Sequence, residues 1–435
     1  MKILIIGKYP PLQGGVSAET FFACNEAVCA GHDIHIVTNS HLTAPTNKIA
    51  IGGENLRHPA VKLHRISELG SNSFIPWARP DLSQLIGRSL ALATQEKLDL
   101  IVGWYLEPFG VAAAYVASLT GLPLAIIHAG SDIGRLAENP DLHHTYRMVI
   151  ETAKHVVVAG DTAKAKLQKL GLRENQIITA KTAPVPSQGA KNNAVDLFGL
   201  LSEACSEEWM SDFYADTSPE FRRFIFRYRP NENLLKETTP IVGIFGKMHP
   251  AKGIDLLLRA SKSLQHHTDE QFRILVNLSG DEDKLCDFFQ AIETDLPDIL
   301  SRIIFCPLVH PALMPKLLRS CDIVCVLDHL FKVTPHQPQM IREALNAGAA
   351  LVASRESVEK SGLSKFLIDR INYLLVEDPS DINALVSALK LLLTDRPMRR
   401  GLQIAGRSFS NIFEKQSTGA GALAATIAAV QKENH

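Results

Sequence analysis

The chain has 435 residues, of which 46% are hydrophobic and 21% are charged, with 45 lysines and arginines against 46 aspartates and glutamates. A chain of this length forms about two or three domains, and its hydrophobic content is too high for an intrinsically disordered protein. The formal net charge of −1 excludes a globally basic nucleic-acid-binding protein, so any phosphate site must come from a local group of residues.

The first half of the chain alternates short apolar runs with helical patterns. We predict strands at residues 2–7, 33–38, 61–66, 98–103, 123–128, 155–159 and 176–179. We predict helices between them at residues 18–30, 82–95 and 109–119. Runs that are apolar on both faces and separated by helices indicate a parallel sheet covered by helices on both sides. Residues 1–185 are therefore predicted to form one doubly wound α/β domain.

The next segment, residues 186–239, fits neither half of the chain. It contains an acidic, aromatic-rich helical stretch at 203–213 and ends in the basic-aromatic segment 221–229, in which four arginines alternate with bulky apolar residues. Roughly fifty residues is too long for a plain linker, so we predict an insertion with structure of its own. The basic-aromatic segment is compatible with weak contact to an anionic membrane, with stacking on a sugar acceptor, or with packing as a lid on a cleft.

A second α/β series extends over residues 240–411. Its predicted strands lie at 241–246, 272–278, 302–306, 322–327, 350–354 and 373–376. Its predicted helices lie at 254–264, 311–319, 340–347 and 382–393. A last helix within 412–435 is expected to pack back on the first domain. Because such sheets bind ligands at the carboxyl ends of their strands, the expected site is a cleft between the two domains.

The amino-terminal residues and the cysteines favour a cytoplasmic protein. The first apolar run is ended by Gly7, Lys8 and two prolines, too early for a signal-peptide core. No apolar stretch approaches the roughly 20 residues that a membrane span requires. The seven cysteines include no Cys-x-x-Cys pair, and several lie inside apolar runs, which predicts buried thiols rather than disulfides or a zinc site.

Two turns of the first domain carry candidate residues. Gly14 and Gly15 stand at a helix start, where bare backbone N–H groups can approach a phosphate, although a flexible turn explains the two glycines equally well. The turn lacks the Gly-x-Gly-x-x-Gly spacing, which argues against a nicotinamide dinucleotide site and a dehydrogenase. His128 ends a buried strand at the mouth of the expected cleft; the alternative is a structural histidine, with Asp132 capping the next helix.

Two segments of the second domain carry positive charge or free N–H groups. Lys247 and Lys252 bracket a tight loop at a strand end, where they can neutralise a diphosphate or remain ordinary solvated lysines. The helix that begins near Gln339 and Met340 offers free N–H groups and its dipole to an anion. Glu343, in its first turn, can accept hydrogen bonds from ribose hydroxyls or merely complement that dipole.

One acidic triplet has the composition of a metal site. Asp281, Glu282 and Asp283 follow the strand predicted at 272–278, and we predict a solvated loop there. No metal site is therefore predicted from this sequence.

Together these segments resemble the retaining glycosyltransferases of family four (glycosyltransferase group 1), which have the GT-B fold of two Rossmann-like domains facing across a cleft. The resemblance covers nearly the whole chain outside 186–239. It is carried by Gly14-Gly15, residues 31–38, His128, Lys247 with Lys252-Gly253, and Glu343-Ala344 with Ala347-Gly348. The family's phosphate pair is usually an arginine followed by a lysine, so Lys247 keeps the charge of that arginine but lacks its bidentate fork.

The sequence departs from the family at one position. The family usually has two glutamates with seven residues between them; Glu343 matches the second, and Pro335 stands where the first is expected. In the family the first glutamate contacts the donor sugar and the second holds the ribose. His336 or Gln337 is the candidate for a sugar contact in its place.

The resemblance implies a hexosyl- or N-acetylhexosaminyltransferase that takes its sugar from a nucleotide-diphosphate donor and retains the anomeric configuration, with no metal and no cofactor. His128, Lys247 and Lys252 are the implied catalytic residues. The implied donor-binding residues are Gly14, Gly15, Lys247, Lys252, Gln339, Met340 and Glu343. The acceptor, a small molecule, a glycan or a lipid-linked sugar, is expected to contact the loops around 40–54 and 71–80.

Two alternatives remain open. A catalytically silent GT-B protein that binds a nucleotide or a partner is favoured by Pro335 and opposed by Lys247, Lys252 and Glu343. A sugar-nucleotide epimerase on the same fold would need acid and base residues in the cleft, which the sequence does not place.

Overall fold

The computed structural model describes residues 1–68, 80–180, 196–277, 279–332, 337–416 and 421–433. Its strands form two separate sheets, one of seven strands and one of six, and every strand pairing in both sheets is parallel. The predicted class of two doubly wound α/β domains is confirmed.

The first domain is built on the seven-stranded sheet, with strand order β3-β2-β1-β4-β5-β6-β7. Its elements in chain order are β1 (Lys2–Gly7), α1 (Gly15–Cys29), β2 (Asp33–Thr38), β3 (Lys62–Arg65), α2 (Asp81–Gln95), β4 (Leu100–Trp104), α3 (Val111–Thr120), β5 (Leu124–Ile127), α4 (Gly130–Gly134), α5 (Pro140–Thr152), β6 (His155–Val158), α6 (Asp161–Lys169) and β7 (Ile177–Thr179). Every residue of β4 is buried because helices cover both faces of the sheet, which explains why the sequence of this strand is continuously apolar.

The second domain is built on the six-stranded sheet, with strand order β10-β9-β8-β11-β12-β13. The remaining elements in chain order are α7 (Leu197–Leu201), α8 (Glu207–Phe213), α9 (Pro219–Arg227), α10 (Glu232–Lys236), β8 (Ile241–Ile244), α11 (Ile254–Leu264), β9 (Arg273–Asn277), α12 (Glu282–Asp295), β10 (Ile303–Cys306), α13 (Met314–Arg319), β11 (Ile323–Val326), α14 (Met340–Ala347), β12 (Ala350–Ser354), α15 (Arg355–Lys360), β13 (Leu374–Val376), α16 (Ile382–Thr394), α17 (Arg396–Gln416) and α18 (Ala422–Glu433).

The basic-aromatic segment 221–229 lies mostly in α9, which packs on α12 of the second domain. Phe221, Phe224 and Ile225 are buried, and the ring of Phe224 stacks on that of Phe289 with centroids 5.3 Å apart. The Arg227 guanidinium lies 2.9 Å from the Glu293 carboxylate. These apolar side chains thus pack on α12, while membrane contact, stacking on a sugar and a lid on the cleft stay predictions.

The carboxyl-terminal helix α18 packs on the first domain. Leu423, Ile427 and Val430 are buried in the same core cluster as the first-domain residue Phe21. The ammonium of Lys154 also lies 2.6 Å from the Glu433 carboxylate. Among the described residues, no helix combines the length and the apolar character needed to cross a membrane.

The loop after β2 joins the two domains. The backbone N–H groups of residues 50 and 51 donate to the carbonyl of Leu308 at 2.8 and 3.0 Å, and that of His310 donates back to Ile51 at 2.8 Å. The same loop pairs with the turn after β1, because the N–H of Gln13 donates to the Asn47 carbonyl at 3.0 Å. Part of the 40–54 loop, expected at the acceptor, therefore fixes the second domain to the turn that carries Gly14; residues 71–79 lie outside the described residues.

Candidate functional site

The carboxyl ends of both sheets meet at one cleft. On the first domain Lys8 follows β1 and His128 follows β5; on the second domain Lys247 follows β8. Lys8 and Lys247 face each other across the cleft, and the charge of Lys247 helps to lower the pKa of Lys8. The cleft thus brings a lysine of the first domain close to a lysine of the second.

Lys252 is held by a buried carboxylate. Its ammonium lies 2.6 Å from Oδ1 of Asp328, whose side chain is only 2% exposed, while that of Lys252 is 19% exposed. Asp328 follows β11, the neighbour of β8 in the sheet, and its backbone N–H donates to the Ser357 hydroxyl at 3.0 Å. The pair places a partly accessible positive charge at the edge of the cleft.

Gly253 explains why the loop after β8 needs a glycine. Its φ is +70°, and a Cβ there would lie 2.7 Å from the Cβ of Leu327 and 2.8 Å from the Leu327 carbonyl oxygen. A side chain fits neither the backbone conformation nor the space. The glycine lets the chain turn from Lys252 directly into α11.

Phe331 covers Lys252 on the side of the loop that follows β11. Its ring centroid lies 4.6 Å from the Lys252 ammonium, and its backbone N–H donates to the Glu356 carboxylate at 3.0 Å. Of the two residues predicted to contact the sugar, Gln337 is exposed at the start of the next described segment. His336 lies outside the described residues, as does Pro335.

The amino-terminal end of α14 faces α1 of the first domain. No side chain caps α14, and the Gln339 amide lies 3.5 Å from the Glu19 carboxylate. Burial raises the pKa of Glu343 to about 7, although the nearby Arg342 opposes the shift. Burial also raises the pKa of Glu19 to about 7, and the negative charge of Glu343 adds to that shift. Two carboxyl groups thus share one crowded interface, and sequence reasoning missed Glu19 because it lies mid-helix with no motif around it.

Gly14 and Gly15 begin α1 in open surroundings. Gly14 has a φ of +124°, and a Cβ at either position would meet no atom within 4 Å. No side chain caps the helix start, and its first turn holds no acidic residue. Its N–H groups are accessible to a ligand in the cleft.

His128 has one ring nitrogen without a partner. Its Nε2 is buried and makes no hydrogen bond to the part of the chain that the structure describes, whereas Nδ1 lies 3.4 Å from the Ala129 carbonyl. Asp132 is fully buried and accepts backbone N–H bonds from Leu106, Ala129 and Ile133 at 2.8 to 3.1 Å. Asp132 therefore orders the start of α4, whereas the buried Nε2 of His128 has no hydrogen-bond partner among the described residues.

Sequence reasoning also missed Lys8 and Arg135. The Lys8 ammonium lies 3.5 Å from the ring centroid of Tyr105, and burial with repulsion from Lys247 and Arg135 lowers its pKa to about 8 despite the opposing charge of Asp132. Burial and Arg135 likewise lower the pKa of Lys247. Lys8 directly follows a predicted strand, and that position was the available signal; Arg135 gave none.

The acidic triplet is not a loop. Asp281 caps α12 by accepting the Lys284 backbone N–H at 3.4 Å, and Glu282 and Asp283 form the first turn of that helix. Glu282 also accepts the Ser218 N–H at 2.8 Å. The charges complement the helix dipole, and the described residues contain no group of three or more potential metal ligands.

Comparison with known proteins gives a family match that lies mainly in the second domain and structural matches that cover both domains. A family model described as Glycosyl transferases group 1 matches residues 227–409. No curated protein sequence gives a significant match. Among solved structures, the chain is similar to Anabaena Alr3699/HepE in complex with UDP-glucose, with a TM-score of 0.62 and 16% identity over 99% of this chain and 100% of that one.

Two further solved structures share the architecture. Sucrose-phosphate synthase from Thermosynechococcus elongatus has a TM-score of 0.61 and 16% identity over 100% of this chain and 99% of that one. UDP-GlcNAc 2-epimerase from Methanocaldococcus jannaschii has a TM-score of 0.50 and 13% identity over 95% of this chain and 100% of that one. At such low identity, these likenesses establish the two-domain fold.

Proposed function

Because a family model described as Glycosyl transferases group 1 matches residues 227–409 and the chain has the two-domain GT-B fold, we propose that this protein transfers a sugar from a nucleotide-diphosphate donor to a hydroxyl group of an acceptor. The observation that carries the proposal is the carboxyl end of the second sheet: Lys247 and Lys252 lie in the loop after β8, and α14, whose start no side chain caps, follows the neighbouring strand β11. Two ammonium groups and free N–H groups at one strand edge suit a diphosphate.

Each donor-binding residue has a chemical role in this proposal. Lys247 and Lys252 neutralise the diphosphate, and the N–H groups near Met340 and Gly15 donate to its oxygens. Glu343 accepts hydrogen bonds from the ribose hydroxyls. Gln337 or His336 contacts the sugar. Since the Anabaena structure contains UDP-glucose, uridine diphosphate sugars are the first donors to test.

The chemical step in this proposal is transfer with retention of configuration. The bond from the anomeric carbon to the diphosphate oxygen breaks, the bond from that carbon to the acceptor oxygen forms, and the departing diphosphate takes the acceptor's proton. Lys247 and Lys252 stabilise the negative charge that develops on the leaving group. The unpartnered Nε2 of His128 donates to or accepts from a sugar hydroxyl and so positions the reacting groups. No metal is needed for this scheme.

The proposal is tested by incubating the protein with a panel of nucleotide sugars and measuring the released nucleoside diphosphate. We expect slow hydrolysis of one donor, and a His128→Ala variant that loses most of this turnover while binding the nucleoside diphosphate as the unmodified protein does. A panel without any turnover, combined with normal nucleotide binding, favours the alternative of a catalytically silent nucleotide-binding protein, for which Pro335 is the supporting residue.

A further inference from the structure

The first-domain wall of the cleft carries more positive charge than a nucleotide diphosphate on the second domain accounts for. Lys8 and Arg135 belong to the first domain, and Lys247 faces them from the second. None of these three cations has a carboxylate oxygen within 4.0 Å among the described residues. Arg135 is exposed and Lys8 is half-buried, so an anion that enters the cleft can approach both, and it is attracted by all three charges.

The nearby carboxylate balances only part of this charge. Asp132 lies close enough to act on Lys8, but it is completely buried and its two oxygens accept the N–H groups of Leu106, Ala129 and Ile133. Its hydrogen-bonding capacity is therefore directed at the backbone. Lys8 and Arg135 retain donors that point to no protein acceptor in the described chain.

Tyr105 fixes Lys8 at the cleft. Its φ is +82°, a conformation that costs a non-glycine residue of the order of 1 to 3 kcal/mol. The conformation is held by a backbone bond from the Tyr105 N–H to the Ile127 carbonyl at 2.8 Å and by a hydrogen bond between its hydroxyl and that of Ser131 at 3.0 Å. The ring thus presents its face to the Lys8 ammonium at 3.5 Å, which keeps the charge in place while leaving its N–H donors available.

From this arrangement we infer that Lys8 and Arg135 form a second anion subsite, and that the acceptor carries a phosphate or carboxylate group that binds there. The inference rests on the proposed function, because the donor diphosphate occupies Lys247, Lys252 and α14 of the opposite domain. The subsite lies on the first-domain wall beside His128, where the acceptor hydroxyl must approach. A neutral acceptor leaves this wall with a net positive charge, because one carboxylate, that of Asp132, opposes the two cations Lys8 and Arg135.

The test uses inorganic phosphate as the probe on the full chain at constant ionic strength, first alone and then with a saturating nucleoside diphosphate. We expect phosphate to bind in both cases. Lys8→Met, which keeps the aliphatic contact with Tyr105, and Arg135→Gln should each weaken phosphate binding about tenfold and leave nucleoside diphosphate binding within twofold. Lys97→Met is the matched control. Lys97 is exposed near the amino-terminal end of β4, so this substitution should leave the binding of both ligands unchanged.

Three results would overturn the inference. Loss of phosphate binding when the nucleoside diphosphate is present assigns Lys8 and Arg135 to the donor diphosphate. If Lys8→Met and Arg135→Gln weaken the binding of phosphate and of the nucleoside diphosphate equally, both residues likewise belong to the donor diphosphate site. Absence of phosphate binding in the free protein shows that there is no subsite. Failure of the nucleoside diphosphate itself to bind is a separate result, which refutes the proposed function.

Discussion

Lys252 has two roles that one pair of variants separates. In the free protein its ammonium neutralises Asp328 at 2.6 Å, and in the proposed complex it also contacts the donor diphosphate. Lys252→Met removes the charge and keeps most of the side-chain volume. Removing one partner of a buried ion pair costs roughly 3 to 5 kcal/mol. Because the Lys252 side chain is 19% exposed, we expect a loss of about 3 kcal/mol in the free energy of unfolding.

The double variant Lys252→Met/Asp328→Asn removes both charges. It should recover most of the stability, because no buried carboxylate is left without its lysine. It should not recover ligand binding, since a charge-assisted hydrogen bond to the diphosphate contributes about 1.5 to 3 kcal/mol. That loss corresponds to roughly ten- to hundred-fold in Kd.

The assay combines denaturant unfolding with calorimetric titration of a nucleoside diphosphate, on the unmodified protein, both variants and the Lys97→Met control. A double variant that binds the nucleotide as tightly as the unmodified protein would show that Lys252 serves only to balance Asp328. A single variant as stable as the control would show that the ion pair does not stabilise the protein.

Three further predictions concern other parts of the molecule. Donor affinity, measured with an intact nucleotide sugar, should rise between pH 6 and pH 8 because Glu343, whose pKa is about 7, becomes ionised over this range. The Glu343→Gln variant should bind the donor weakly at both pH values. A strong pH dependence of donor affinity in that variant would contradict the role of Glu343 as the ribose acceptor. Gly253→Ala should destabilise the protein by about 2 kcal/mol or more, because the φ at this position is +70° and the added Cβ would lie 2.7 Å from Leu327. Gly401→Ala, at an open position within α17, should stabilise the protein by about 0.5 kcal/mol. Equal Tm values for the two variants would contradict this geometry. Phe224→Ala should lower the free energy of unfolding in urea by about 3 to 5 kcal/mol, because Phe224 is buried against Phe289. The control Arg223→Gln, at an exposed position, should lower it by less than about 1 kcal/mol. A Phe224→Ala protein of normal stability would show that α9 does not pack on α12.

The strands could be located from sequence, because buried parallel strands are apolar on both faces and stand out from the helices around them. β1, β2 and β12 have the predicted boundaries, and the others differ by a few residues at their ends. The short helix α4 and its neighbours α5 and α6 were not predicted. α5 buries Tyr146, Val149 and Ile150, and α6 buries Ala163 and Leu167, so each presents only a narrow apolar face in the sequence.

Contacts between distant segments could not be read from sequence. Glu19 meets Gln339, and the loop at residues 45–51 meets Leu308, only because the two sheets face each other. The same limit applies to the basic-aromatic segment: its sequence shows arginines interleaved with bulky apolar residues, but the partner that covers those apolar side chains is α12, which follows much later in the chain. The acidic triplet at residues 281–283 has a composition typical of a metal site, and only the structure shows that Asp281 caps a helix.

The central claim is that the second-domain edge of the cleft binds the diphosphate of a sugar donor. The most direct measurement is calorimetric titration of the full chain with uridine, adenosine and guanosine diphosphates. We predict that one of them binds with a stoichiometry of about one, and that Lys247→Met and Lys252→Met/Asp328→Asn each weaken its binding about tenfold or more. No binding by any of the three, or binding that neither variant changes, would contradict the account.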